Sequence, residues 1–184
     1  MKKYLVAIDQ GTTSSRAVLF DAHGVLLGQH SIEFPQIYPK PGWVEHNPKD
    51  ILASVTESLR LLLMETGAQA CEIAAIGITN QRETAVLWDK KTGEPVYNAI
   101  VWQCRRTAPI VEKLVADGLG DHIRRTTGLI PDAYFAGTKL KWLLDLSGVR
   151  ERAERGELCF GTIDTFLAWN LLEGQPHVTD AANA

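Results

Sequence analysis

Tyr4-Leu-Val-Ala-Ile-Asp-Gln-Gly-Thr-Thr-Ser-Ser-Arg-Ala-Val-Leu-Phe20 holds the decision about the fold. An apolar run over residues 4–8 stops at Asp9, Gly11 and a series of hydroxyl side chains follow, and a strand pattern resumes over residues 15–20. Asp21-Ala-His-Gly24 supplies a turn, and Val25 to Phe34 reads as a third strand. Three strands joined by short turns form an antiparallel meander. A Rossmann βαβ opening is disfavoured, because there a helix follows the first glycine turn.

Outward from the meander, residues 35–46 carry three prolines with Tyr38 and Trp43 and have neither helical nor strand period. That predicts a long, stiff excursion tied down by its aromatics. Asn47-Pro-Lys-Asp50 is a helix start: an asparagine cap, proline at the first helical position, and an acid near the positive end of the dipole. Ile51, Val55, Leu59, Leu62 and Leu63 repeat at helical spacing as far as Gly67, so the helix is long and needs a sheet for its apolar face. Ile73 to Thr79 is nearly all apolar and reads as a strand in the buried centre of a sheet. Thr84 to Trp88 is the next strand, Asp89-Lys-Lys-Thr-Gly93 a turn, and Val96 to Trp102 a short extended piece. Helices are expected from Thr107 through Val115, from Thr138 onward with Leu140, Leu143 and Leu144, and over Ile163 to Leu171. The class is mixed α/β, antiparallel at its start and alternating afterwards.

With 184 residues, 45% of them hydrophobic, the chain is long enough for one good core, so one domain is the default. A net charge of -3 gives no general reason to hold nucleic acid or an anionic membrane, which leaves a small partner. Tyr4 to Ile8 is too short for a secretory leader, and no window approaches a membrane span, so a cytoplasmic protein is expected. Cys71, Cys104 and Cys159 are too far apart for a close-spaced zinc or redox pair and read as reduced, mostly buried thiols. The five histidines form no metal spacing. Arg105-Arg106 and Arg124-Arg125 read as solvated or salt-bridged pairs, and residues 151–157 as an exposed helix or turn.

Two constellations carry chemistry. In the first, Asp9 ends a strand and Gly11, Thr12, Thr13, Ser14 and Arg16 follow: turn N–H groups and hydroxyls that surround phosphate oxygens, a carboxylate for Mg²⁺, and a fixed positive fork. An Asp/Thr-rich hairpin turn with no ligand has the same composition. In the second, Arg82 and Glu83 follow the run 73–79, where open α/β sheets bind ligands, and together offer donors and an acceptor to vicinal hydroxyls. Trp102 would cover the carbon side of a polyol, and Tyr134, in a loop after Gly128 and Pro131, would donate to one of its oxygens. A surface turn with two core aromatics is the alternative.

Asp9-Gln-Gly-Thr-Thr13 between two strands resembles the first phosphate motif of the sugar-kinase, actin and heat-shock ATPase superfamily, and no Walker A string occurs. Asp9 to Ala17, Tyr38 to His46, Gly77 to Thr84, Asn98 to Thr107 and Tyr134 to Lys139 resemble, in order and across essentially the whole chain, the FGGY carbohydrate kinases. The resemblance implies a ribonuclease H-like α/β domain of the actin/hexokinase ATPase type: a mixed sheet opening with the antiparallel three-stranded meander, and helices on both sides. It places Gly11, Thr12, Thr13, Ser14 and Arg16 at nucleotide phosphates and Asp9 at Mg²⁺, with Asp9 and Arg16 serving catalysis. It gives Arg82, Glu83 and Tyr134 as hydrogen-bond partners of glycerol and Trp102 as the surface against its carbons. ATP/ADP and Mg²⁺ are the implied cofactors, and a homodimer or homotetramer the implied assembly of a full-length protein.

The same resemblance makes residues 1–184 an N-terminal polyol-binding and phosphate-binding domain, truncated, with the C-terminal nucleotide-binding domain absent. The aspartate that takes the hydroxyl proton would lie beyond residue 184, so the fragment is expected to be inactive alone. Relatives act on gluconate, xylulose, ribulose and fuculose, and the Arg82-Glu83 pair with Trp102 is what points to glycerol. A kinase for another sugar, or a non-catalytic sugar-binding or regulatory module on this fold, is the alternative.

Overall fold

In the computed structural model, which describes residues 3–183, the chain forms β1 (Tyr4–Gln10), β2 (Ser14–Asp21), β3 (Leu26–Glu33), β4 (Glu45–His46), α1 (Pro48–Thr66), a 3-10 turn (Ala70–Glu72) and β5 (Ile73–Asn80). It continues with β6 (Val86–Asp89), β7 (Ala99–Ile100), α2 (Ala108–Ala116), α3 (Gly120–Thr127), α4 (Ala136–Leu144), α5 (Val149–Glu154), β8 (Leu158–Gly161) and α6 (Ile163–Leu171). These elements divide into two compact units. One contains the chain up to Gln36 with Asn47–Gln81; the other contains Ile37–His46 with the chain from Arg82 onward.

The first unit is the meander with one parallel strand added. β1 pairs antiparallel with β2, β2 with β3, and β5 joins the free side of β1 in parallel, giving the order β3-β2-β1-β5. Alternation along β1 sends Val6, Ile8 and Gln10 to one buried face, and their neighbours Leu19 and Ala17 on β2 share it. α1 lies against β1, β2 and β3. Its start follows the sequence rule: the Asn47 side chain accepts the Lys49 N–H at 3.0 Å, and Pro48 opens the helix. Gly67 closes it at φ 70°. Ile51, Ser54, Val55, Ser58 and Leu62 make the buried stripe, and both serines donate their hydroxyls back to helix carbonyls. Each aliphatic side chain buried there stabilises the unit by about 1.5–3 kcal/mol. Gly28 admits the helix end, since a Cβ on it would come within 2.7 Å of the Thr66 methyl.

β5 departs from expectation. Residues 74–77 are exposed and Ile76 is 50% accessible, so the apolar run is not a buried centre. It is an edge strand of this sheet, bonded to β1 alone, and α1 packs on the other three strands. Hydrophobicity reports that a run can be buried, and strand order decides whether it is.

In the second unit β4 pairs with β7, setting Glu45 opposite Ile100 and His46 opposite Ala99, and β6 pairs with β8. The proline-rich excursion is anchored rather than loose: Ile37 and Glu45 exchange both backbone hydrogen bonds, at 3.0 and 2.9 Å. Leu87, Ile100, Cys104, Leu143 and Val149 form a core against which Trp43, Tyr97 and Trp142 pack. A second cluster sets Trp88 edge-on to Phe166 and Trp169, with Gly93 beneath the Trp169 ring. Arg105 is exposed and pairs with Asp132, as a solvated basic residue should. Arg106 does not; its side chain is fully buried against Glu45 and stacked on Trp43. Cys104 and Cys159 are buried free thiols and Cys71 is an exposed one.

Candidate phosphate and polyol sites

The β1–β2 turn belongs to the first unit. Cross-strand register sets Asp9 beside Arg16, and the Arg16 Nη2 donates to Asp9 Oδ2 at 2.6 Å with both side chains nearly half exposed. A pair this wet contributes only about 0–1 kcal/mol, so a metal ion and a phosphate can separate it cheaply. The Gly11 N–H donates to Ser14 O at 2.9 Å, closing the turn. A Cβ on Gly11 would sit 3.2 Å from that oxygen, a tight contact that glycine avoids. The Gln36 amide donates to Thr12 O and the Phe34 N–H to Thr13 O, which moors the turn to the chain leaving β3.

Two buried glutamines support this turn from beneath, and neither stood out in the sequence. Gln10 Nε2 donates to Gly11 O at 2.6 Å, while Gln81 Nε2 donates to Gln10 Oε1 at 3.1 Å and Gly11 O at 3.2 Å. A signal existed: Gln10 falls on the inward side of β1's alternation, and an inward polar side chain must find partners.

The residues expected to meet a polyol belong to the second unit. Glu83 stands at φ 64°, a left-handed conformation that costs a non-glycine residue about 1–3 kcal/mol and needs support. Support comes from α4. The Glu83 carboxylate accepts the Ala136 N–H at 2.8 Å, at the positive end of the helix, and the Glu83 carbonyl accepts Lys139 Nζ at 2.9 Å. The same ammonium donates to the Tyr134 carbonyl. The Tyr134 N–H donates to Asp132 Oδ1 at 2.7 Å; that bond, with the Arg105 guanidinium, holds the Asp132 carboxyl below its usual range. The Tyr134 ring meets Trp102 edge-on with centroids 5.8 Å apart, and the backbone N–H of Trp102 donates to Thr84 Oγ1 at 3.3 Å. Glu83, Trp102 and Tyr134 are therefore brought together. Arg82 is exposed beside Glu83 and is not drawn into this hydrogen-bond set. A cavity of about 450 Å³ between α2, α3 and α4 is lined by Ile110, Leu114, Ile123 and Phe135 and reaches Asp132, but includes none of Arg82, Glu83, Trp102 and Tyr134.

The N-terminal domain description of the FGGY family of carbohydrate kinases matches residues 4–184. The chain belongs to the FGGY family. A Shewanella sediminis protein named glycerol kinase is 62% identical over 184 residues, which is 100% of this chain and 37% of that one. The crystal structure of Plasmodium falciparum glycerol kinase with ADP superposes with a TM-score of 0.86 at 30% identity, covering 93% of this chain and 34% of that one. Gluconate kinase from Lactobacillus acidophilus superposes at 0.84 with 26% identity, covering 95% and 34%. The chain thus spans about 37% of the length of the curated relatives it matches. Its fold is the mixed α/β fold of the FGGY kinases, of the actin/hexokinase ATPase type, and the β3-β2-β1-β5 sheet is where the FGGY chain carries its Asp9 turn.

Proposed function

We propose that residues 1–184 are the phosphate-binding and polyol-binding N-terminal domain of an ATP-dependent glycerol kinase. The observation that carries this reading is the proximity of Glu83, Trp102 and Tyr134, with the left-handed Glu83 backbone bound on two sides by the first turn of α4. A carboxylate accepts a hydroxyl proton, a phenol donates to an oxygen, an indole covers carbon, and the exposed Arg82 fork reaches two oxygens at once; together these match a short polyol. The 62% identity to a protein named glycerol kinase supports glycerol among the polyols.

The Asp9 turn fits a magnesium nucleotide by its chemistry: one carboxylate, one guanidinium, hydroxyls, and a backbone closed tightly at Gly11. Thr12, Thr13, Ser14 and Arg16 would hold phosphate oxygens, and Asp9 would hold Mg²⁺. Among the described residues no three Asp, Glu, His or Cys side chains gather, so the ion would take its other ligands from phosphate and water. When bound, Mg-ATP supplies the transferable phosphoryl group and neutralises its charge. In-line transfer to the terminal hydroxyl gives sn-glycerol 3-phosphate and ADP.

The proton acceptor is assigned to the chain beyond residue 184. Asp132 accepts both Arg105 and the Tyr134 N–H on Oδ1, and the two oxygens of Asp164 accept the Thr162 and Thr179 hydroxyls, so each carboxylate is tied to its own loop. Among the described residues no helix is long and apolar enough to cross a membrane; a cytoplasmic homodimer or homotetramer is part of the proposal.

The test is ADP release by the full-length protein with Mg-ATP and, in turn, glycerol, gluconate and xylulose. Glycerol is expected to exceed the other two by at least tenfold in kcat/KM. Equal use of gluconate would overturn the substrate, and no polyol-dependent ADP release would overturn the kinase.

A further inference from the structure

Lys139 and Lys141 stand two apart on α4 and have opposite fates. Lys141 is exposed and pairs with Asp145, whereas Lys139 has no accessible surface at all. A buried ammonium is costly, and here no carboxylate touches it. It donates to two main-chain oxygens, Glu83 O at 2.9 Å and Tyr134 O. Leucine or methionine would fill the same space without that cost, so packing does not account for a lysine.

What the lysine does is join two loops. Ala136 and Lys139 are three apart and share one face of α4. Ala136 takes the Glu83 carboxylate on its N–H, and Lys139 takes the Glu83 carbonyl on its ammonium, so side chain and backbone of one residue are both fixed to one helical turn. The left-handed φ of 64° at Glu83 is thereby supported from two directions. The second donation fixes the carbonyl of Tyr134, and the ammonium lies 5.9 Å from that ring's centroid.

We propose that Lys139 is a positioning residue of the polyol site, its buried ammonium setting Glu83 and Tyr134 at the separation that a short polyol requires. This rests on the assignment of Glu83 and Tyr134 to substrate made above. The amine itself does no chemistry on the substrate, because it is directed at main-chain carbonyls. The charged and titratable groups that face it are the Glu83 and Asp132 carboxylates and the Cys104 thiol, with Arg105 beyond Asp132. Burial pulls the ammonium down to about 8, against the opposing attraction of Glu83. Above that pH the donations to both carbonyls lose their charge assistance, and the common anchor of the two loops weakens.

The experiment measures KM for glycerol, KM for ATP and kcat in the full-length protein, its Lys139→Met variant and its Lys139→Arg variant, from pH 7 to 9.5. In the unmodified protein, glycerol KM is expected to rise about tenfold across that range while ATP KM changes less than twofold. Lys139→Met is expected to raise glycerol KM at least tenfold at pH 7 and to abolish its pH dependence. Lys139→Arg, which keeps a cation at all these pH values, is expected to fall between the two and to show a flat profile. A glycerol KM for Lys139→Met within twofold of the unmodified protein would overturn the proposal. Where the methionine variant does not fold, a Lys139→Arg variant that leaves glycerol KM unchanged at pH 7, or that raises glycerol KM and ATP KM alike, would overturn it too. Absence of glycerol turnover by the unmodified protein would instead overturn the substrate assignment, and the proposal with it.

Discussion

Replacing Glu45 with glutamine removes one charge from a place that water does not reach. The Glu45 side chain is 2% exposed and that of its partner Arg106 is 0% exposed. Glu45 Oε1 accepts Arg106 Nη2 at 2.6 Å and the Tyr97 hydroxyl at 2.9 Å, and Oε2 accepts the Asn98 amide at 2.8 Å. A glutamine of the same shape keeps its carbonyl toward Arg106 and Tyr97, and Asn98 can turn its amide to receive the new NH₂. The hydrogen bonds therefore survive in number. What does not survive is the counter-charge to a guanidinium 3.9 Å above the Trp43 ring and 4.7 Å from that of Trp142. Leaving a buried charge uncompensated costs about 3–5 kcal/mol, a fall of roughly two to four decades in the folding constant. Arg106→Met should cost a similar amount by stranding the carboxylate, with the lost cation–π contact adding up to about 2 kcal/mol. The double variant Glu45→Gln/Arg106→Met should be less damaged than either single one, since neither position is then left as an unpaired buried charge. Urea unfolding of all four proteins, read by tryptophan fluorescence, measures this. A Glu45→Gln protein within about 1 kcal/mol of the parent, or a double variant equal to the sum of the singles, would refute the reasoning.

Gly93→Ala places a methyl 2.7 Å from the Trp169 ring at a φ of 75°, so it should cost about 2–4 kcal/mol. Gly67→Ala, at φ 70° with nothing within 4 Å, should cost about 1 kcal/mol, and equal shifts in Tm for the two would contradict the packing at Gly93. Burial holds the His46 imidazole at about 4, below its ordinary 6.5, so the unfolded chain binds a proton that the folded one refuses. Stability is then full above pH 6.5 and declines on the order of 3 kcal/mol as pH falls to about 4, a decline that His46→Gln should flatten in acid-unfolding curves. In the full-length protein Arg82→Ala should mainly raise glycerol KM, at least tenfold, and Asp9→Asn should mainly lower kcat, by a hundredfold or more; steady-state kinetics showing the reverse would exchange the two roles.

The meander and α1 were legible because local rules decide them. The alternation of residues 4–8, the turn at Asp21 to Gly24, the Asn47-Pro48 start and the Gly67 stop each act within a few residues. Composition and resemblance single out Glu83, Trp102 and Tyr134, although nothing in the sequence shows that the fold sets them beside one another. The remainder turns on partners far along the chain. Lys139 looks like any helix-surface lysine until Glu83, 56 residues earlier, supplies its acceptor. Arg106 looks solvated until Glu45, 61 residues earlier, is set against it. β5 looks central until strand order makes it an edge. α3 escaped notice because Ile123 is the single large apolar side chain in Gly120–Thr127, and a helix this polar has no periodic stripe to read.

The interleaving of the two units governs the order in which a ribosome can finish them. The first unit has all its strands once Gln81 has emerged, but the chain from Ile37 to His46 threads out of it and belongs to the second. Glu45 and His46 must wait for Ile100 and Ala99 to be synthesised before β4 has a partner, and Glu45 waits longer still for Arg106. During that interval a carboxylate and an imidazole destined for the interior remain hydrated, which keeps the waiting segment soluble. A gene divided after Gln81 would leave ten residues of the second unit on the wrong piece. Separate production of the second unit therefore calls for a rearranged chain order that carries residues 37–46 along with it.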